Sequence, residues 1–138
     1  MGSALSSFFG GAADAATEDS SQEPSSVTSF HSSARWQLHF NEAKESPKLM
    51  VIDFAASWCG PCKIMEPAVK AMASRFTDVQ FSKIDVDELN DVAQEFKIEA
   101  MPTFVLVKKG KEVDRVVGAK KDELEKKIVK HRALQAAA

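Results

Sequence analysis

Residues 49–56 read LMVIDFAA, an apolar run interrupted only by Asp53. A strand with one face in water alternates apolar and polar positions, so a run that does not alternate needs cover on both faces. It predicts a central strand with helices packed on either side. The following residues supply one of them: Met65, Ala68, Val69, Met72, Ala73 and Phe76 line one face of a helix that starts near Cys59 and contains Pro67. VQFSKIDV at 79–86 reads as a second strand, and Leu89, Val92, Ala93 and Phe96 repeat the helical spacing. Upstream, Val27 to His31 is a weaker strand, followed by a helix capped by Ser32 or Ser33 and carrying Trp36, Leu38 and Phe40. Downstream, TFVLV and EVDRVVG flank Lys108–Lys111 with Gly110 at the turn, which predicts an antiparallel hairpin. A charged helix from about Lys120, with Leu124 and Ile128 inward, comes last. The order β-α-β-α-β-α-β-β-α implies an α/β fold. Its mixed five-stranded sheet has a parallel portion and a C-terminal antiparallel hairpin, with helices on both faces.

These elements occupy 27–138 and suit one domain, since 138 residues at 44% hydrophobic can bury a single core. Residues 1–26 differ in character. They are rich in Ser, Ala and Gly and hold Asp14, Glu18, Asp19 and Glu23 without Lys or Arg, so they have little apolar area to offset ordering entropy and read as a flexible acidic extension. A net charge of -2 with no basic block argues against nucleic-acid binding. No apolar run approaches the roughly 18 residues of a spanning helix. The Arg-free start is unlike a transit peptide, which leaves a reducing, cytoplasmic location as the expectation and a mitochondrial pool open.

The chain's two cysteines lie in FAASWCGPCK at 54–63. A structural disulfide between Cys59 and Cys62 would close a very small loop and so stabilise least. Zinc needs about four ligands, yet there is no second cysteine pair, and His31, His39 and His131 are scattered. Redox exchange has a mechanism. A cysteine at a helix N-terminus faces unpaired amide donors and the positive end of the helix dipole, which favour its thiolate. Cys59 takes that position, and Cys62 lies one turn further in, near enough to attack a mixed disulfide and shielded until needed. Gly60 lets a partner chain approach, and Pro61 suits the first helical turn.

WCGPC at 58–62, Asp53 six residues before Cys59, Pro67 five after Cys62, MPTF at 101–104 and VVG at 116–118 together resemble the thioredoxin family over about residues 27–138. The long N-terminus and the run SSARWQLHFNEAKES further resemble plant type-h thioredoxins of the subgroup with an N-terminal extension. The resemblance implies a thioredoxin fold and a protein-disulfide reductase acting through a mixed disulfide, with Cys59 as nucleophile and Cys62 as resolving thiol. It implies that Trp58, Met101, Pro102, Gly118 and Ala119 receive the substrate, with Pro102 a cis proline facing the cysteines. It implies no bound cofactor or metal, electrons from NADPH through a thioredoxin reductase, and disulfide-containing proteins as partners. The alternative is a membrane-recruited interaction module or holdase, which would keep its function without either cysteine.

Asp53 carries a physical expectation of its own. A carboxylate inside an apolar strand loses hydration, so burial raises its pKa toward neutrality unless a cation compensates. Behind the cysteines, where the family pattern puts it, it would accept the Cys62 proton, with Lys83 on the next strand as its modulating cation. Finally, MGSALS matches the pattern for myristoylation of Gly2. One such chain gives only marginal membrane binding, so weak, reversible endomembrane association is expected.

Overall fold

The computed structural model describes residues 26–132. The extension and Gly2 of the sequence reading lie outside the described residues. Within them the order is β1 Val27–Phe30, α1 Ser33–Ala43, β2 Leu49–Ala55, α2 Gly60–Arg75, β3 Gln80–Asp85, α3 Asn90–Glu95, β4 Thr103–Lys108, β5 Lys111–Val117 and α4 Lys121–His131. The strands form one sheet in the order β1-β3-β2-β4-β5. The pairs β1/β3 and β2/β3 are parallel, while β2/β4 and β4/β5 are antiparallel, so β2 sits at the centre as its composition requires.

Every residue of β2 is buried, and the strand's period of two divides it between two cores. Met50, Ile52 and Phe54 pack with Trp36 of α1 and Val92 and Ala93 of α3. Leu49 and Val51 pack on the opposite face with Met65, Val69 and Met72 of α2 and with Leu124 and Ile128 of α4. By the same alternation Asp53 points toward the α2 side. Full burial of a Leu or Ile contributes about 1.5–3 kcal/mol, so Leu124 and Ile128 account for much of the docking of α4.

Local chemistry sets the element ends. The Ser32 hydroxyl accepts from the Arg35 amide at 3.2 Å and caps α1. Lys109 and Gly110 both have positive φ, 51° and 81°, the backbone that a two-residue turn between twisted strands demands. Trp36 is buried and Phe40 stacks on it, four residues apart, but Leu38 falls two positions from each and projects into solvent.

The last helix is also held by charge. Asp114 of β5 accepts from His131 Nε2 at 2.9 Å and pairs with Lys127 Nζ at 3.0 Å. Burial alone would raise the Asp114 pKa, but hydrogen bonds from His131, Lys127 and the Arg115 amide outweigh it and bring the carboxyl to about 2. A carboxyl held below its unfolded value stabilises the fold above that value, and the contribution is lost as pH falls through the folded one. Urea unfolding should find Asp114→Asn less stable than wild type at pH 7, with the gap closing between about pH 4 and pH 2. A gap independent of pH would show that this cluster does not act through charge.

Candidate active site

Among the described residues, one end of the sheet collects the loops that the sequence marks for chemistry. Because β2 and β3 are parallel, their C-terminal ends lie together, with Ala55 opposite Asp85. Because β4 runs antiparallel to β2, its start lies beside the end of β2, with Phe54 opposite Thr103. The end of β5 follows, with Val117 opposite Thr103. The loops at 56–59, 86–89, 100–102 and 118–120 therefore share one rim.

Cys59 is the N-cap of α2, and it is joined to Cys62 by a disulfide with a Cα–Cα separation of 5.3 Å. That separation lies within the usual range for such bonds. The Cys62 amide donates to Cys59 Sγ at 3.1 Å, so a free amide of the first helical turn points at that sulfur. This is the electrostatic setting that favours a thiolate at Cys59. The expected contrast in burial is not seen. Cys59 is 4% exposed and Cys62 6%, because both side chains join the core cluster beneath the loop. The openness is provided by neighbours: Trp58 is 65% exposed, and a Cβ at Gly60 would meet nothing within 4 Å.

On β2, Asp53 is 6% exposed and its Oδ1 has no hydrogen-bond partner. Burial raises its pKa to about 7; the Lys83 charge opposes the rise, and the Glu66 charge adds to it. Lys83 stands directly across from Asp53 in the β2/β3 register. Its ammonium, however, pairs with Glu66 Oε2 at 2.9 Å, a partner the sequence reading did not name. Asp53 lines a cleft of about 250 Å³ with Glu66 and Lys83, and Cys62 lines another of about 260 Å³ that shares Glu66 and Lys83. The two sites are thus joined through one ion pair. The missed residue had a signal, since Glu66 lies four positions after Cys62 and so on the same helical face.

The remaining expected residues complete the rim. The Met101–Pro102 peptide bond is cis, and Met101 packs against the core cluster that contains both cysteines. The Pro102 carbonyl accepts from the Gly118 amide at 2.8 Å, which binds the two loops together. Gly118 has φ +104°, a conformation that disfavours side chains, and exposed Ala119 follows it. Trp58 Nε1 donates to Asp87 Oδ2 at 2.8 Å, fixing the indole between the loops after β2 and β3; Asp87 was also missed. Among the described residues no group of three or more His, Cys, Asp or Glu is placed to hold a metal ion.

Comparison with known proteins agrees with this geometry. A family model described as thioredoxin matches residues 29–130. The chain is 65% identical over 133 residues to Thioredoxin H2 of Arabidopsis thaliana, covering 96% of this chain and 100% of that protein. It is 62% identical over 105 residues to Thioredoxin H2-2 of Oryza sativa subsp. japonica, covering 75% of this chain and 78% of that protein. Among solved structures it is similar to thioredoxin NaTrxh from Nicotiana alata, with a TM-score of 0.78 and 71% identity, covering 80% of this chain and 96% of that one.

Proposed function

The chain belongs to the thioredoxin family and acts as a protein-disulfide reductase, and we propose that Cys59 is its attacking thiolate and Cys62 its resolving thiol. Members of the family work without a bound cofactor, drawing electrons from NADPH through a thioredoxin reductase, and disulfide-containing proteins are their targets. The relatives weigh against a holdase. The observation that carries the assignment of roles is the Cys62 amide directed at Cys59 Sγ at the start of α2.

In the first step Cys59 thiolate attacks one sulfur of the target disulfide, forming a mixed disulfide and releasing the other target sulfur as a thiolate. In the second, Cys62 loses its proton to the Asp53 carboxylate through water and attacks Cys59 Sγ. The Cys59–Cys62 bond forms, the Cys59–target bond breaks, and the second target sulfur leaves with the electron pair. The target has gained two electrons and the protein has been oxidised. Raised by burial to about 7, Asp53 suits proton exchange near neutral pH. Trp58, Met101, Pro102, Gly118 and Ala119 form the rim against which an extended target segment docks, with Gly60 and Pro61 keeping the sulfur approachable. Insulin reduction by NADPH and thioredoxin reductase tests the activity; no turnover would overturn it.

The domain is assigned to 27–138 and an acidic extension to 1–26. Gly2, in the pattern MGSALS, is assigned as a myristoylation site that gives a mainly cytosolic pool reversible access to endomembranes. No helix among the described residues is long and apolar enough to cross a membrane. Cells fed labelled myristate should label the wild type but not Gly2→Ala, and Gly2→Ala should lose the membrane-recovered fraction. Equal labelling or equal recovery would refute the assignment.

A further inference from the structure

Lys83 is within reach of two carboxylates and pairs with only one. Its register places it opposite Asp53, yet its ammonium is 2.9 Å from Glu66 Oε2, while Asp53 Oδ1 remains buried without a partner. The Glu66–Lys83 pair also stands at the boundary of both clefts, the one that reaches Asp53 and the one that reaches Cys62. The geometry points to a role for Glu66 as a positioning residue: its carboxylate holds the Lys83 ammonium off Asp53, leaving that buried carboxyl without a direct ion pair and able to exchange a proton with Cys62. This inference rests on the reading of Asp53 as the proton acceptor.

The physical reason is competition for one cation. An ammonium directly beside a carboxyl lowers its pKa, typically by about 1–3 units, and an ionised carboxylate so stabilised is a poor base. Glu66, being more exposed than Asp53, loses less hydration on accepting that ammonium, so the surface pair forms and the buried one does not. The other ionisable groups about the two clefts are Lys63 and Lys70 on α2 and Asp85 on β3, with the Cys62 sulfur; β1 contributes Val27 and Ser29, and β4 sets Phe104 opposite Asp53. Part-exposed on both sides, the ion pair adds little to stability, so its variants are expected to fold.

The test is the pH titration of the Asp53 carboxyl carbon by NMR in the full reduced chain. In Glu66→Gln the midpoint should fall by about one pH unit or more, as Lys83 turns to Asp53. In a Lys83→Gln background the same substitution should move it by less than half as much, because the cation being competed for is gone. A midpoint in Glu66→Gln that stays or rises would overturn the inference. So would a full shift that persists without Lys83, since the charge of Glu66 would then act directly. The titration needs no turnover, so it is judged apart from Asp53's role. A shifted midpoint with an unshifted pH profile of mixed-disulfide resolution would uphold the capture of Lys83 and count against Asp53 as base.

Discussion

Replacing Cys59 by serine should reduce insulin-disulfide reduction to the uncatalysed background, while replacing Cys62 by serine should leave the first attack intact and stop the reaction at the mixed disulfide. The asymmetry follows from chemistry at one helix end. A serine hydroxyl at 59 would receive the same amide from residue 62, but its pKa is too high for one hydrogen bond and a helix dipole to ionise it near neutral pH. A serine at 62 leaves the Cys59 sulfur and the N-terminus of α2 unaltered, and removes only the second nucleophile. Mass spectrometry of Cys62→Ser incubated with a disulfide substrate should find the two linked covalently, and a dithiol should release them. Insulin reduction by Cys59→Ser at the wild-type rate would reverse the assignment. A Cys62→Ser protein that turned over normally would show that an outside thiol resolves the intermediate.

Asp53→Ala should separate stability from rate. The folded protein holds a proton on Asp53 up to about pH 7 that the unfolded chain gives up near 3.8. A raised carboxyl pKa therefore lowers stability as pH climbs from about 4 to about 7, and the penalty stays complete above that. Some three units at 1.36 kcal/mol each set an upper limit of about 4 kcal/mol, diminished by the small cavity that alanine leaves. Urea unfolding should accordingly find Asp53→Ala more stable than wild type at pH 8, with the gain shrinking toward pH 4. The same variant should resolve the mixed disulfide about 10²-fold more slowly at neutral pH, and its rate should lose the rise near pH 7 that ionisation of Asp53 gives the wild type. Equal single-turnover rates would dispose of the proton-transfer role, and unchanged stability at pH 8 would mean the carboxyl is compensated in the fold.

Much of the site was legible before any coordinates because its signals are local. A cysteine before a glycine and proline that open a helix is a capping position whatever surrounds it, and an aspartate in an unbroken apolar run is buried whatever covers it. Gly110 and Ser32 were legible for the same reason, since a left-handed turn and a helix start select residue types from within a few positions. What the sequence left open was direction and partnership. Leu38 shares a helix with Trp36 and Phe40 but leaves at a different angle, and Cys59 is as buried as Cys62 because the core rises beneath the loop.

The sequence by itself determined the element order, the central place of β2, the cysteine pair at a helix start and a buried carboxyl. Only the tertiary structure decided that Lys83 would pair directly with Glu66 rather than with Asp53, that Asp87 would hold Trp58, and that Pro102 and Gly118 would close the rim. Propensity, capping and burial act between residues a few positions apart and are written in residue order. The partner of a flexible charged side chain depends on strand register and on the hydration each rival would lose, and both exist only once the sheet and α2 have been packed together.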